Sequence, residues 1–400
     1  MITLLEAQQH LQTSAYCDTR TEKVELAQAL GRVASADVHA GLSIPPNDNS
    51  AMDGFAVSSS DVTKLGIVLP ISQRIPAGSQ PEPLKAGTAV RIFTGGAMPA
   101  KADAVVIQEN TDYDQQKVVI NKLTKPGDNV RPYGQDISEG SVVVAGGRRL
   151  TPIDLALLAS VGKSTIEVYK PLRVAIFSTG DELVNPGQEL KPGQIYNSNR
   201  PMLMALCEQL GFIAVDCGIV EDTLGATKAA LLSAAKRADV ILSSGGVSVG
   251  EEDHIKAAVE DLGSLEMWKV QMKPGKPVAF GKVADTPFLG LPGNPVSSYV
   301  VFQLLGVPLM NSLQGCTTKL PRSYSVISGF TKKTSDREDY IRARINIRDD
   351  GKLIAQPFAN SSSGVMSSLA WADGLIRQRI DSAIEIGAEV EFLPLHEGML

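Results

Sequence analysis

Acidic side chains recur at three points in the second half of the chain. Asp181 and Glu182 stand in STGDE, Glu221 and Asp222 in VEDT, and Glu251, Glu252 and Asp253 in VGEED. Between the last of these and the loop GLPGNPVSS lies a lysine series, Lys269, Lys273, Lys276 and Lys282. Oxygen-only acids without a nearby His or Cys set suit Mg²⁺, which is held partly through water and substrate phosphate. Like charges converging at one edge would repel without such a cation, and the lysines suit the anion that it would bridge. In GLPGNPVSS the glycines allow close backbone approach, Asn294 can cap, and Pro295 fits a first helical turn. Pro292 and Ser297 share that loop, whose free N–H groups suit a phosphate. VILSSGGVS offers Gly245, Gly246 and Ser248 as amides and a hydroxyl for an anionic ligand. Each acid also has a plainer reading: Asp222 and Asp253 suit N-caps or first-turn positions, and Asp181 an ordinary turn. A further anion nest is offered by RIFTGGAMP, with the Thr94 hydroxyl and the Gly95 and Gly96 amides. No Ser–His–acid arrangement emerges, since His254 belongs to a helix start. Neither GxGxxG nor GxxxxGK[ST] is present, so dinucleotide and P-loop readings lack their signatures.

The elements that must position these residues alternate from 171 to 323. RVAIFSTG, FIAVDCGIV and DVILSSG read as strands, with helices at RPMLMALCEQLG, TLGATKAALLSAAKR, DHIKAAVEDLG and after GLPG. Strands apolar on both faces with helices between them predict an α/β domain whose mainly parallel sheet is covered by helices. Ligands of such sheets bind beyond the carboxyl ends of the strands, where the acidic loops fall. Residues 51–140 carry short β-like runs between Gly, Pro and Asp turns and predict a small β-rich unit. Residues 1–50 begin helical and end in a loop rich in turn residues, and 141–170 add a helix with Thr151 as N-cap, Pro152 at the first helical position and Gly162 past the end. Residues 324–400 return to β texture, with a hairpin turning at Asp350-Gly351, and form the fourth unit.

A chain of 400 residues exceeds one ordinary core, and 43% hydrophobic with 20% charged residues is a globular balance. The net charge of −6 excludes a general nucleic-acid binder. Cys17, Cys207, Cys217 and Cys316 lack CxxC spacing and read as thiols of a reducing cytoplasm. The four scattered histidines argue against a zinc site. The longest apolar stretch, residues 299–310, is too short to span a bilayer, and the N-terminus reads as an amphipathic helix instead of a targeting peptide.

NSAMDGFAV, RIFTGGAMP, GQDIS, STGDEL, SSGGVSVGEED, KPGKPVAFG and GLPGNPVSS, in this order, resemble the molybdopterin molybdenumtransferase (MoeA) family, whose relatives include the gephyrin E-domain. The resemblance implies homodimers of four-part subunits: an elongated linking domain from 1–50 and 137–170, an inserted β-rich domain at 51–136, the α/β domain at 171–323 and a small C-terminal β-barrel at 324–400, with a site in a cleft between subunits. It implies Mg²⁺-dependent hydrolysis of adenylyl-molybdopterin, insertion of molybdate into the dithiolene, and release of AMP. Carried over, it puts Asp53, Thr94 and Asp136 in or beside the cleft as catalytic residues, with Lys269 and Lys273 as anion-binding groups. Glu182, Asp222 and Asp253 would include the Mg²⁺ ligands, while Arg342 and Ser363 match cleft residues of the C-terminal part. A molybdopterin adenylyltransferase would supply the substrate and other proteins would accept the cofactor. The competing readings are an adenylyltransferase and a non-catalytic gephyrin-like scaffold.

Overall fold

The computed structural model describes residues 1–15, 17, 20–247, 254–317 and 320–395. The predicted alternation forms a six-stranded sheet. Arg173–Thr179 pairs in parallel with Ile213–Val220 on one side and Val240–Ser244 on the other, and Val240–Ser244 in turn with Thr286–Leu291. Pro277–Val283 and Gly263–Lys269 then add antiparallel to the far edge. These two strands are joined to their neighbours by short connections, which antiparallel pairing permits and parallel pairing does not. Helices Asn199–Gln209, Leu224–Arg237, His254–Leu262 and Pro295–Val301 belong to the same unit. Phe177, Phe280, Phe288 and Phe302 are fully buried there, and truncating any one to Ala removes about 3–5 kcal/mol.

The apolar stretch after GLPG is longer than its sequence limits suggested. It continues through Phe302–Gly306 and Val307–Leu313 as one helix, Pro295–Leu313, apolar and long enough to cross a membrane by composition, with 83% of its most apolar window buried. It is a core helix. Phe302–Gly306 takes the wider π turn, and Leu304 O there accepts a 2.9 Å bond from Nε2 of Gln8, on the N-terminal helix Leu4–Ser14. That side-chain donor gives the carbonyl a partner within the bulge.

Thr151 caps Pro152–Ser160 in a capping box with Asp154, as predicted. Arg149 ties this region to the α/β unit: Nη1 donates to Gly31 O and Leu210 O, and Nη2 to Asn311 Oδ1. Residues 54–120 supply a second six-stranded sheet in which Gly54–Val57 lies between Ala89–Ile92 and Ala104–Ile107. Gly54 is forced by proximity, because a Cβ there would sit 2.1 Å from Val106 O. The C-terminal strands Tyr324–Ser328, Glu338–Ile347, Leu353–Pro357, Gly374–Gln378 and Glu389–Pro394 close into a five-stranded barrel, since Glu338–Ile347 pairs with both Leu353–Pro357 and Gly374–Gln378. Met272–Lys273 of the α/β unit joins the barrel in parallel, with Lys273 opposite Asp339. This crossing strand brings the lysine series against the barrel.

Candidate functional site

Where Met272–Lys273 meets the barrel there is a cavity of about 450 Å³. Lys273, Lys276, Asn294 and Ser297 line it from the α/β unit, and Lys332, Arg337, Asp339, Arg342 and Ser361–Ser363 from the barrel side. Five cations face one carboxylate, a formal +4 in a chain whose net charge is −6. Such a local reversal of sign concentrates anions.

The cations are held in different ways. The buried Asp339 Oδ2 accepts from Lys332 Nζ at 2.7 Å and pairs with Lys273 Nζ at 3.4 Å. Arg342 is 4% exposed and spends four donor contacts on its own domain. Its Nε donates to Ser368 Oγ, Nη1 to Ser361 O, and Nη2 to Asn360 O and Ser362 O. Burial pulls its guanidinium below its ordinary pKa, and the nearby Asp339 opposes that shift. Arg342 thus shapes the 360–363 loop as well as lining the cavity. That loop docks on the long helix, whose Val296 N–H donates to Ser363 O at 3.0 Å.

This contact corrects part of the helix-terminus expectation, because the Val296 N–H is already engaged within the chain. Ser298 N–H likewise bonds Asn294 O. Asn294 holds the N-cap position with no side-chain cap bond, and its residue lines the cavity instead. Pro295 does occupy the first turn. Pro292 is buried in the same loop. Gly245 packs so tightly on the neighbouring strand that a Cβ would lie 2.6 Å from Thr179 O, and its N–H already bonds Leu291 O. Gly246 is close to Thr179 Oγ1 in the same way. Lys269 is half-buried opposite Pro277 and is not part of the cavity wall.

Asp53 and Thr94 come together for a local reason. They flank Gly54 and Ile92, which are register partners on adjacent strands. Thr94 N–H and Oγ1–H both donate to Asp53 Oδ1 at 2.8 Å. These two bonds, the backbone one first, hold the carboxyl below the usual carboxylate range, and Arg91 adds a smaller pull. Asp53 is therefore a persistent anion and a poor proton acceptor near neutral pH. The loop is not an anion nest: Gly95 N–H bonds Ser50 O and Gly96 N–H bonds Phe93 O. Asp136 is exposed in a turn anchored by its N–H on Ile44 O. None of Asp53, Thr94 and Asp136 lines the cavity.

Of the three acidic loops, two are in contact, Asp222 N–H donating to Asp181 Oδ1 at 3.2 Å. Thr223, not Asp222, is the N-cap of Leu224–Arg237, so the capping explanation of Asp222 falls away. Glu182 folds over Gly180, leaving no room for a Cβ at that glycine. Ser248 and Asp253, with Glu251 and Glu252, lie outside the described residues. Among the described residues no three His, Cys, Asp or Glu side chains form a metal cage. Two contacting loops with carboxylate oxygens nevertheless match the chemistry of Mg²⁺, which keeps several waters and needs few protein ligands.

Sequence reasoning missed Lys332, Arg337 and Asp339, whose stretch TKKTSDRED resembles any solvated charge run, and Ser361 and Ser362 beside the Ser363 it did name. It also missed Asn199, whose Nδ2 bonds Ser244 Oγ at 2.9 Å and Gly293 O at 2.7 Å. Those bonds tie the exit of one strand to the GLPGNP loop. The cluster YNSNR before a helix was the available signal.

Three family models match the chain in succession. Residues 2–162 match the MoeA N-terminal region (domain I and II), 175–312 a probable molybdopterin binding domain, and 329–395 the MoeA C-terminal region (domain IV). A molybdopterin molybdenumtransferase of Haemophilus influenzae is 38% identical over 92% of both chains. One from a Nostoc species is 37% identical over 89% of this chain and 84% of its own. A molybdopterin biosynthesis MoeA protein of Pyrococcus horikoshii superposes with TM-score 0.85 at 26% identity, covering 98% of this chain and all of the other. With the cationic cavity, the closed barrel and this likeness along almost its whole length, the chain belongs to the MoeA family of molybdopterin molybdenumtransferases, enzymes of molybdenum cofactor biosynthesis.

Proposed function

We propose that this enzyme hydrolyses the phosphoanhydride of adenylyl-molybdopterin in a Mg²⁺-dependent step, inserts molybdate into the dithiolene and releases AMP. The observation that carries the reading is the cavity at the junction of the α/β unit and the barrel, cationic in an otherwise acidic chain. Lys273, Lys276 and the hydroxyls of Ser297 and Ser361–Ser363 bind and orient the oxyanion there, and Lys269 contributes charge from beside it. Phosphoryl chemistry of this kind needs positioning and charge neutralisation more than a covalent nucleophile. That fits a site without a nucleophilic triad. Asp53, kept ionised by Thr94, orients a water or a molybdate-bound hydroxyl as a hydrogen-bond acceptor. Glu182, Asp222 and Asp253 would hold Mg²⁺, which when bound neutralises phosphate charge. Gly245, Gly246 and Ser248 would face the pterin-bearing substrate beyond the strand ends.

The chain acts as a homodimer in this reading. Asp53, Thr94 and Asp136 of one subunit then face the lysine cavity of the other, which accounts for their absence from the cavity wall within one chain. A cytoplasmic location, an adenylyltransferase as supplier and cofactor-accepting proteins as recipients belong to the same proposal. So does the division at 1–50 with 137–170, 51–136, 171–323 and 324–400. Pure protein mixed with adenylyl-molybdopterin, Mg²⁺ and molybdate is expected to yield AMP and active cofactor. If neither product formed, the reading would be wrong. Full Mg²⁺-dependent AMP release by both Asp222→Ala and Asp253→Ala would remove the metal assignment alone.

A further inference from the structure

The single carboxylate of the cavity is its least expected member, because an acid in an anion site weakens the attraction that the lysines supply. Asp339 is nevertheless buried, with a side chain 6% exposed, and its Oδ2 holds Lys332 at 2.7 Å and Lys273 at 3.4 Å. Its backbone is fixed as well. Asp339 pairs in parallel with Lys273 across the junction between the α/β unit and the barrel. Gln271 Nε2 donates to Asp336 O, and Glu338 N–H to Gln271 O, so the two strands are laced together immediately before the pair. Glu338 points its charge elsewhere, to Arg377 and the Tyr340 hydroxyl. One buried acid therefore fixes two flexible lysine ammonium groups, one from each unit, at the wall of the same cavity.

We propose that Asp339 is a positioning residue of the anion site, fixing Lys273 and Lys332 as a pair whose spacing the bound oxyanion requires. The lysine stem has four carbons and much rotamer freedom. Anchoring both ammonium groups on one oxygen removes that freedom before the ligand arrives, and a misplacement of about 1 Å in such a group can slow reaction about a hundredfold. The anchor weakens general attraction for anions and sharpens geometry. Affinity and turnover should therefore separate when it is removed. The turnover arm rests on the reaction proposed above, and the binding arm does not.

Two measurements decide it. In calorimetric titrations with molybdate alone, Asp339→Asn is expected to bind as tightly as the native protein or several-fold tighter. The loss caused by Lys273→Met is expected to be smaller in the Asp339→Asn background than in the native one, a coupling that strictly additive losses would contradict. In AMP release from adenylyl-molybdopterin, Asp339→Asn is expected to lower kcat about a hundredfold with little change in KM, and Asp339→Glu to recover part of that loss. An unchanged kcat, or molybdate affinity falling in parallel with kcat, would overturn the positioning role. An unfolding midpoint close to native for Asp339→Glu keeps the comparison free of simple misfolding. A native enzyme that released no AMP would sink the reaction and leave the coupling in molybdate binding as the deciding result.

Discussion

The Asp53–Thr94 pair is assembled by two residues at facing ends of neighbouring strands, a few hydrogen bonds from one another in a single sheet. The cavity takes its charges from 273–276 and 332–342 and its hydroxyls partly from 361–363, segments that meet where Met272–Lys273 crosses to the barrel. The first site holds one half-buried anion whose protonation is tuned by local donors. The second holds five cations whose positions depend on the docking of two domains. Local geometry thus sets proton affinity in one region and tertiary geometry sets charge density in the other. Perturbations should separate along that line.

The largest effect is expected at the cavity. Lys273→Met should lower kcat/KM for AMP release roughly 10²–10³-fold, as removal of a charge-stabilising donor does elsewhere. Molybdate affinity should fall with it and the native affinity should weaken steeply with added salt. Arg342→Ala removes the donors to the Asn360, Ser361 and Ser362 carbonyls that hold the 360–363 loop and should reduce stability by about 1–2 kcal/mol, seen as an earlier denaturant midpoint, as well as weakening the anion site.

The Asp53 region should respond to pH instead of salt. A folded-state pKa below the ordinary one means that the carboxylate stays ionised as pH falls, until that lowered value is reached. The stabilisation from the Thr94 bonds is accordingly present at neutral pH and lost only in acid. Activity controlled by Asp53 should stay flat from neutrality to about pH 5. Thr94→Val removes the hydroxyl donor and lets the pKa rise toward its ordinary value, so the acid limb of the pH–rate profile should move upward. The reverse movement would contradict the assigned role of Thr94.

A mixing experiment joins the two regions. Asp53→Asn and Lys273→Met are each expected to be nearly inactive. If the site is completed across a two-fold dimer, an equal mixture allowed to exchange subunits should recover about a quarter of native activity, because half the dimers are mixed and each holds one intact site. No recovery in dimers shown to have exchanged would place both residues in one chain's site. The smallest effect is the control, Thr151→Ala, which should destabilise by about 1 kcal/mol through loss of a helix cap and leave both sites working.

The strands of the first region were legible in the sequence, but its contact was not, since Asp53 entered only through the family resemblance and Thr94 was read with Gly95 and Gly96 as an anion nest. DGFAV and RIFTGG show strands bounded by turn residues, and a hydroxyl beside an acid needs only adjacent strands to become a contact. The α/β rhythm from 171 was readable because buried parallel strands are continuous apolar runs. Lys273, Lys276, Asn294 and Ser297 were reached by placing loops at the strand ends, a rule of topology. Lys332, Arg337 and Asp339 obey no such rule, since their roles depend on a pairing between residues 272–273 and 338–339 that no local pattern encodes. The antiparallel edge of the sheet was hidden for a similar reason, because PVAFGKV is as apolar as its parallel neighbours. The apolar stretch 299–310 understated the span because polar Ser and Asn residues flank it, while the helix runs from Pro295 to Leu313 and accommodates Gly306 and Pro308 beside a π turn.

Molybdate titrated calorimetrically into the native protein, Lys273→Met and Asp53→Asn tests most directly that the cavity, and not the Asp53 region, holds the oxyanion. The expected result is one saturable site per chain in the native protein, close to native affinity in Asp53→Asn, and a loss of at least about tenfold in Lys273→Met, the equivalent of about 1.4 kcal/mol. Native affinity in Lys273→Met, or binding lost in Asp53→Asn alone, would contradict it.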